Sequence, residues 1–266
     1  MTLGQALLLG LIQGLTEFLP ISSSGHLVLG QAALGLKEPV LLFDILLHMG
    51  TLAAVLVVFG KDVWRITRAW LVSLAGRAEG ADRASARAGW LLILGTVPAA
   101  LVGALFKDAI EAAFAAPRLT AYNLLVTGCL LYFSGGRVKG TRLEAQMTWL
   151  DALWIGTLQA VAILPGISRS GSTIAAGLWT GLDREQAARF SFLLSIPAIL
   201  GAFVLKAKDL KAVPDGTWGS MAVGTLTAAV VGVISLVWLL RVVRRGNIRA
   251  FAYYCWAAGA LAIYLT

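Results

Sequence analysis

Gln13-Gly-Leu-Thr-Glu-Phe-Leu-Pro-Ile-Ser-Ser-Ser-Gly-His26 sets a proline, three serines and a glycine inside an otherwise apolar run. A second stretch, Pro165-Gly-Ile-Ser-Arg-Ser-Gly-Ser-Thr173, is a variant of it. Gly10, Gln13, Ser22, Ser24, Gly25 and Gly35 recur as Gly156, Gln159, Ser168, Ser170, Gly171 and Gly181, each 146 positions further on. The apolar frame repeats, but its polar filling differs: Glu17 and Ser23 in one copy, Arg169 in the other. Internal symmetry of this kind suggests a duplicated scaffold whose halves supply unlike parts of one site.

The rest of the chain says where that scaffold sits. Hydrophobic residues make up 58% of the sequence and charged residues 14%, and mean hydropathy is +0.80. Soluble domains carry about a quarter charged residues, so the composition describes an integral membrane protein. Met1–Leu11 lacks a basic region and a small-residue cleavage site, so the first segment is expected to remain in the mature protein. Spans are predicted at 41–59, 89–106, 119–134, 190–205, 220–240 and 250–265, about six in all. The loops between them alternate in charge. Segments 61–88, 135–148 and 241–249 hold 13 Lys and Arg, against 5 in 107–118 and 206–219. The basic side is expected to be cytoplasmic, with a mobile cytoplasmic loop near 61–88. That distribution accounts for the net charge of +8 without nucleic acid. Cys129 and Cys255 lie in separate apolar segments and read as buried free thiols.

The two repeat segments do not fit as ordinary spans. Pro20 and Pro165 break their helices, and polar backbone at membrane depth survives only where protein or a water-filled cavity covers it. Each is therefore predicted to be a re-entrant helix-loop-helix hairpin. Three spans separate them, an odd number, so the hairpins enter from opposite faces. The expected fold is an all-α polytopic membrane protein: one domain of two inverted repeats, about 1–110 and 147–266.

The polar residues point to phosphate chemistry. Gln13 and Glu17 are four apart and share a helix face; a carboxylate in a membrane segment is expensive and marks function. Ser22, Ser23 and Ser24 precede a helix start, whose free amides suit an anion, and His26 brings an imidazole able to move a proton. In the second copy Arg169 offers a planar fork for phosphate oxygens, surrounded by Ser168, Ser170, Gly171, Ser172 and Thr173. The competing structural reading is a Glu17–Arg169 ion pair that ties the hairpins together, which need not exclude phosphate binding. Asp44 and His48, also four apart, are read as supporting the site.

Those two motifs, with Phe190-Ser-Phe-Leu-Leu-Ser-Ile-Pro197, resemble the undecaprenyl pyrophosphate phosphatase family of the bacitracin-resistance type. The resemblance covers essentially the whole chain. It implies hydrolysis of a C55 polyprenyl diphosphate to the monophosphate, which recycles the carrier lipid for cell-wall synthesis and confers bacitracin resistance. It also implies a place in the bacterial cytoplasmic membrane, a cavity open to the outer side, and a divalent cation, Mg²⁺ or Ca²⁺, with no organic cofactor. The family's motifs carry over to Glu17, to Ser22, Ser23 and His26, and to Ser168, Arg169 and Thr173. Gln13 stands where many members have a second glutamate, so a two-carboxylate metal site is not expected; Glu17 is the candidate ligand, with Gln13 nearby.

The expected mechanism is phosphoryl transfer to Ser23. Arg169 and helix amides, including those at Ser24 and Gly25, hold the diphosphate. His26 handles a proton, and Glu17 orients His26 or holds the cation. Direct attack by water is the rival within hydrolysis. From a different class, an inverted repeat with broken helices is also a transporter signature, so a polyprenyl-phosphate flippase is the alternative. Expected partners are the lipid substrate and membrane lipids. Small residues on the spans also permit a homodimer.

Overall fold

The computed structural model describes residues 1–36, 41–135, 140–207, 216–246 and 248–266. Within them the backbone forms eleven α-helices, one 3₁₀ turn at Glu144–Gln146 and an isolated parallel bridge between Arg142 and Leu182. In chain order the helices are α1 (Leu3–Thr16), α2 (Ser23–Ala33), α3 (Leu41–Leu74), α4 (Ala81–Leu105), α5 (Lys107–Phe114), α6 (Pro117–Ser134), α7 (Trp149–Val161), α8 (Arg169–Trp179), α9 (Arg184–Lys206), α10 (Trp218–Arg245) and α11 (Arg249–Leu265).

Local chemistry explains the boundaries that matter for the site. Thr2 with Gln5, and Thr148 with Asp151, form reciprocal capping boxes that start α1 and α7. Pro20 and Pro165 fall in the turns that follow those helices, where a missing N–H ends the ladder. Ser22 and Ser168 then cap α2 and α8. Each repeat segment is thus a helix, a proline turn and a shorter helix.

Among the described residues, Leu41–Leu74, Asp82–Leu105, Arg184–Lys206 and Trp218–Arg245 are long and apolar enough to cross a bilayer. Of the six spans expected, the other two are α6 and α11, with 18 and 17 residues. They sit at the short limit for crossing about 30 Å of hydrocarbon. They pack on one another closely enough that a Cβ at Gly128 or Gly259 would collide with the facing helix. Leu3, Leu7, Leu11 and Leu15 line the outer side of α1, and Val230, Ile234 and Trp238 that of α10, all exposed. A shell of that kind is stable only against lipid tails, so the chain is an all-α, multi-pass membrane protein.

One expectation is corrected. Segment 61–88 is mostly helix and not a loop: α3 continues to Leu74, α4 begins at Ala81, and only 75–80 connects them. The basic residues are compatible with helix because they occupy its exposed side, while Ile66 and Ala69 are buried on the other. Asp62 pairs with Arg189 of α9 at 2.8 Å and holds the extension down. The change of direction comes inside α3 at Phe59, which has φ −107° and ψ 15°. Parts of the predicted loops 135–148 and 206–219 lie outside the described residues.

Packing follows the repeat. The first helix of each hairpin lies along a span from the other half: α1 along α10, and α7 along α4. Glycine makes both contacts close. A Cβ on Gly10 would run into the Gly224 carbonyl, and one on Gly156 into the backbone of Gly95. Between the halves, Phe18 of the first hairpin meets Phe192 of α9 edge to face at 5.7 Å, with both rings fully buried. The halves therefore interlock, and their two proline turns meet in the interior. A Cβ on Gly25 would come within 2.9 Å of Gly166 Cα.

Candidate active site

The two turns are built alike. Ser22 Oγ accepts from the Gly25 amide at 3.2 Å, and Ser168 Oγ from the Gly171 amide at 3.0 Å. Ser22 and Ser24 hydroxyls are 3.3 Å apart; Ser168 and Ser170 hydroxyls are 3.2 Å apart. Two special backbone conformations tighten these turns. Ser22 has φ +69°, a region a side chain rarely adopts, and Gly166 has φ +92° while lying against the Thr120 carbonyl. Helix α6 supports the second turn. Asn123 Nδ2 donates to the Pro165 carbonyl and Thr127 Oγ1 to the Gly166 carbonyl, each at 2.8 Å.

Glu17 is the hub, buried at the C-terminal end of α1. Its Oε1 accepts from Arg169 Nη2, the ion pair weighed from the sequence. Its Oε2 accepts from Ser23 Oγ at 2.5 Å and from Gln13 Nε2 at 3.0 Å, with His48 Nε2 at 3.4 Å. A buried carboxylate needs this many partners to remain charged. Arg169 also reaches the Ser191 carbonyl at 3.4 Å. Thr173 Oγ1 donates to the Arg169 carbonyl at 2.8 Å and meets Ser191 Oγ at 2.6 Å. Thr173 therefore braces Arg169 from behind.

The two histidines are placed differently. His26 has Nδ1 2.8 Å from the Ser22 carbonyl and Nε2 2.8 Å from the Tyr254 hydroxyl, and its ring stacks on that tyrosine. A carbonyl only accepts, so His26 Nδ1 carries hydrogen. Both ring nitrogens are thus engaged in bracing the first turn against α11. His48 is the histidine at Glu17, its Nδ1 held 2.6 Å from the Asp44 carbonyl. Asp44 Oδ1 accepts from Gln31 at 2.6 Å, while Oδ2 has no partner among the described residues.

These groups open onto a cavity of about 950 Å³. Glu17, Ser23, His48, Gln159, Ser168 and Arg169 are among its polar lining. From there the lining is small and apolar: Ala99, Ala100, Gly103 and Ala104 on α4, and Ala198 and Gly201 on α9. It reaches Lys107, Glu111 and Lys206, where the Lys206 ammonium pairs with Glu111 at 2.8 Å. Ser191, beside Arg169, and Lys206 are 15 residues apart on α9, or about 22 Å at 1.5 Å per residue. The shape suits a charged head joined to a long apolar tail.

The site therefore joins Glu17, Ser23 and Arg169 directly, as the repeat suggests, with Ser22, Ser24, Ser168 and Gln13 around them. His48 reaches the carboxylate itself, with Nε2 3.4 Å from Glu17 Oε2. Tyr254 carries no signal in the sequence, and Ser191 enters there only as part of the Phe190–Pro197 stretch that carries the family resemblance. A resident metal fits poorly. Among the described residues no three His, Cys, Asp or Glu side chains cluster as ligands, and both Glu17 oxygens already have partners.

Comparison with known proteins identifies the family. The model of a family described as bacitracin resistance protein BacA matches residues 6–261. The chain is 46% identical over 264 residues to an undecaprenyl-diphosphatase of Desulfatibacillum aliphaticivorans, covering 96% of each. It is 44% identical over 278 residues to an undecaprenyl-diphosphatase of Desulforapulum autotrophicum, covering 99% of this chain and 98% of the other. With one from Methanobrevibacter smithii it shares 43% over 264 residues, covering 97% and 95%.

Proposed function

The chain belongs to the bacitracin resistance protein BacA family, and from that premise we propose that Glu17, Ser23 and Arg169 carry out its reaction. That reaction is hydrolysis of undecaprenyl diphosphate to undecaprenyl monophosphate and phosphate. One observation carries the assignment. The Ser23 hydroxyl donates to Glu17 at 2.5 Å, while the other oxygen of that carboxylate holds Arg169 of the opposite hairpin. Nucleophile, base and anion clamp thus meet on a single carboxylate.

As the diphosphate arrives, Arg169 turns from Glu17 Oε1 to the phosphate oxygens, joined by the free amides at the starts of α2 and α8. Glu17 takes the Ser23 proton as Oγ bonds to the terminal phosphorus. The bond between that phosphorus and the bridging oxygen breaks, undecaprenyl monophosphate leaves with the electron pair, and Glu17 passes the proton it took to that departing phosphate, becoming a carboxylate again. Water then attacks the phosphoserine, gives its proton to Glu17, and phosphate departs as Ser23 regains a proton. His48 holds Glu17 in place, and His26 fixes the turn that presents Ser23.

A divalent cation is proposed to enter with the substrate, because the diphosphate itself supplies the oxygen ligands that the protein lacks. Such an ion neutralises phosphate charge, and Glu17 is the side chain that would touch it. Chelation is expected to lower turnover at least several-fold, with Mg²⁺ or Ca²⁺ restoring it, and to leave the Tm of substrate-free protein unchanged. A Tm that falls on chelation would mean a resident ion.

The orientation follows the charge. Lys107, Glu111 and Lys206 border the less basic loops, which favours a cavity open to the outer face of the cytoplasmic membrane. Acid-quenched turnover of a polyprenyl diphosphate in detergent should trap phosphate on Ser23. Full activity in Ser23→Ala would leave direct water attack as the route. Absence of phosphate release from folded wild type would return the site to lipid transport.

A further inference from the structure

Gln159 holds in the second hairpin the position of Gln13 in the first. Gln13 uses its amide nitrogen on Glu17 at 3.0 Å and on Thr51 Oγ1 at 3.4 Å. The residues 146 positions beyond those two partners are Ile163 and Pro197, whose side chains accept nothing and which line the cavity with Gln159. Gln159 itself is 2% exposed, and neither Nε2 nor Oε1 has a hydrogen-bond partner among the described residues. A buried amide left in this state destabilises the fold, and native interiors hold few of them.

Its surroundings indicate what the amide is for. Gln159 lies in the last turn of α7, ten residues before Arg169. Helix α7 packs on α4 through Gly156 and Gly95, and the next residues of α4 toward the cavity are Thr96 and Ala99. Gln159 thus lines one cavity together with Ser168 and Arg169 of the turn and with Thr96 and Ala99 of α4, where polar groups give way to the apolar lining that suits the tail. A diphosphate with its terminal phosphorus at Ser23 and its tail along α4 and α9 puts its second phosphate at that boundary.

We infer that Gln159 donates its Nε2–H to a non-bridging oxygen of the lipid-side phosphate, the group that leaves on undecaprenol. The inference rests on the hydrolase reading above. A neutral donor suits this place because negative charge grows on the leaving phosphate as its bond to the terminal phosphorus breaks. A donor fixed beforehand, away from water, strengthens with that charge.

The experiment compares wild type, Gln159→Met and Gln159→Glu in detergent with a long-chain polyprenyl diphosphate. Inhibition by polyprenyl monophosphate and by inorganic phosphate is measured beside it. The Met variant is expected to lose about ten- to a hundredfold in kcat/KM, the scale of one hydrogen bond to a charged group. Its inhibition constant for polyprenyl monophosphate should rise while that for inorganic phosphate stays put. Tm should hold or increase, since no protein partner is lost. Gln159→Glu, which sets a negative charge against the phosphate, should lose more. Unchanged kcat/KM, parallel weakening of both inhibitors, or activity falling only in step with Tm would overturn the inference. Wild type that releases no phosphate would instead sink the hydrolase reading on which it stands.

Discussion

Glu17→Gln is expected to lower kcat on polyprenyl diphosphate by about 10³-fold, within the range of lost general-base catalysis, while KM stays level or falls. The split follows from the two occupations of the carboxylate. Oε2 is the acceptor for the Ser23 proton, at 2.5 Å, and a neutral amide oxygen is a far weaker base. Oε1 holds Arg169, so an incoming phosphate must first displace a buried carboxylate from the guanidinium. In the Gln variant that competition disappears, and Arg169 is free for the anion. Substrate should bind at least as well and turn over poorly. Steady-state kinetics with a direct binding measurement checks both halves. A matched rise in KM with little change in kcat would make Glu17 a substrate ligand and not the base. Glu17→Asp should recover part of kcat, limited by the shorter reach to Ser23.

The residues that can be read from the sequence are those the duplication marks. Gly10 with Gly156 and Ser22 with Ser168 predict two like turns, and the hydroxyl-to-amide caps at 3.2 and 3.0 Å are that likeness in space. The Glu17–Arg169 pair is also legible, because two charges in apolar hairpins have few other partners. Helix 61–74 is not legible by the same reasoning. Lys61, Arg65 and Arg68 suggest a loop when charge is averaged over a window, and only the burial of Ile66 and Ala69 shows that they lie on one face. The histidines fail for a different reason. His26 stands two positions after Ser24, yet its nitrogens are taken by Ser22 and Tyr254; His48 reaches Glu17 from α3, 31 residues away in sequence. Proximity along the chain is a poor guide where a helix must leave the turn and a distant one must return to it.

Arg169→Ala should reduce kcat/KM by about 10³-fold or more, the scale on which a single arginine stabilises a transferring phosphoryl group. Stability and activity should then part company in a way that identifies the role. Arg169 and Glu17 are both largely shielded, with side chains 17% and 4% exposed. Removing either partner alone leaves the other as an uncompensated charge, at a cost of about 3–5 kcal/mol. The single variants Arg169→Met and Glu17→Gln should therefore both melt below wild type. The double variant replaces an ion pair by neutral groups of similar size, so much of the lost Tm should return. Activity should not return, since neither the phosphate clamp nor the base is restored. Arg169→Lys separates charge from shape: it keeps the cation near Glu17 and most of the stability, but an ammonium cannot present the planar fork to two phosphate oxygens. Its expected position is near wild type in Tm and well below it in kcat/KM. A double variant that recovered both stability and turnover would reduce Glu17 and Arg169 to a strut between the hairpins, and the phosphate would have to be held by the helix amides and serines alone.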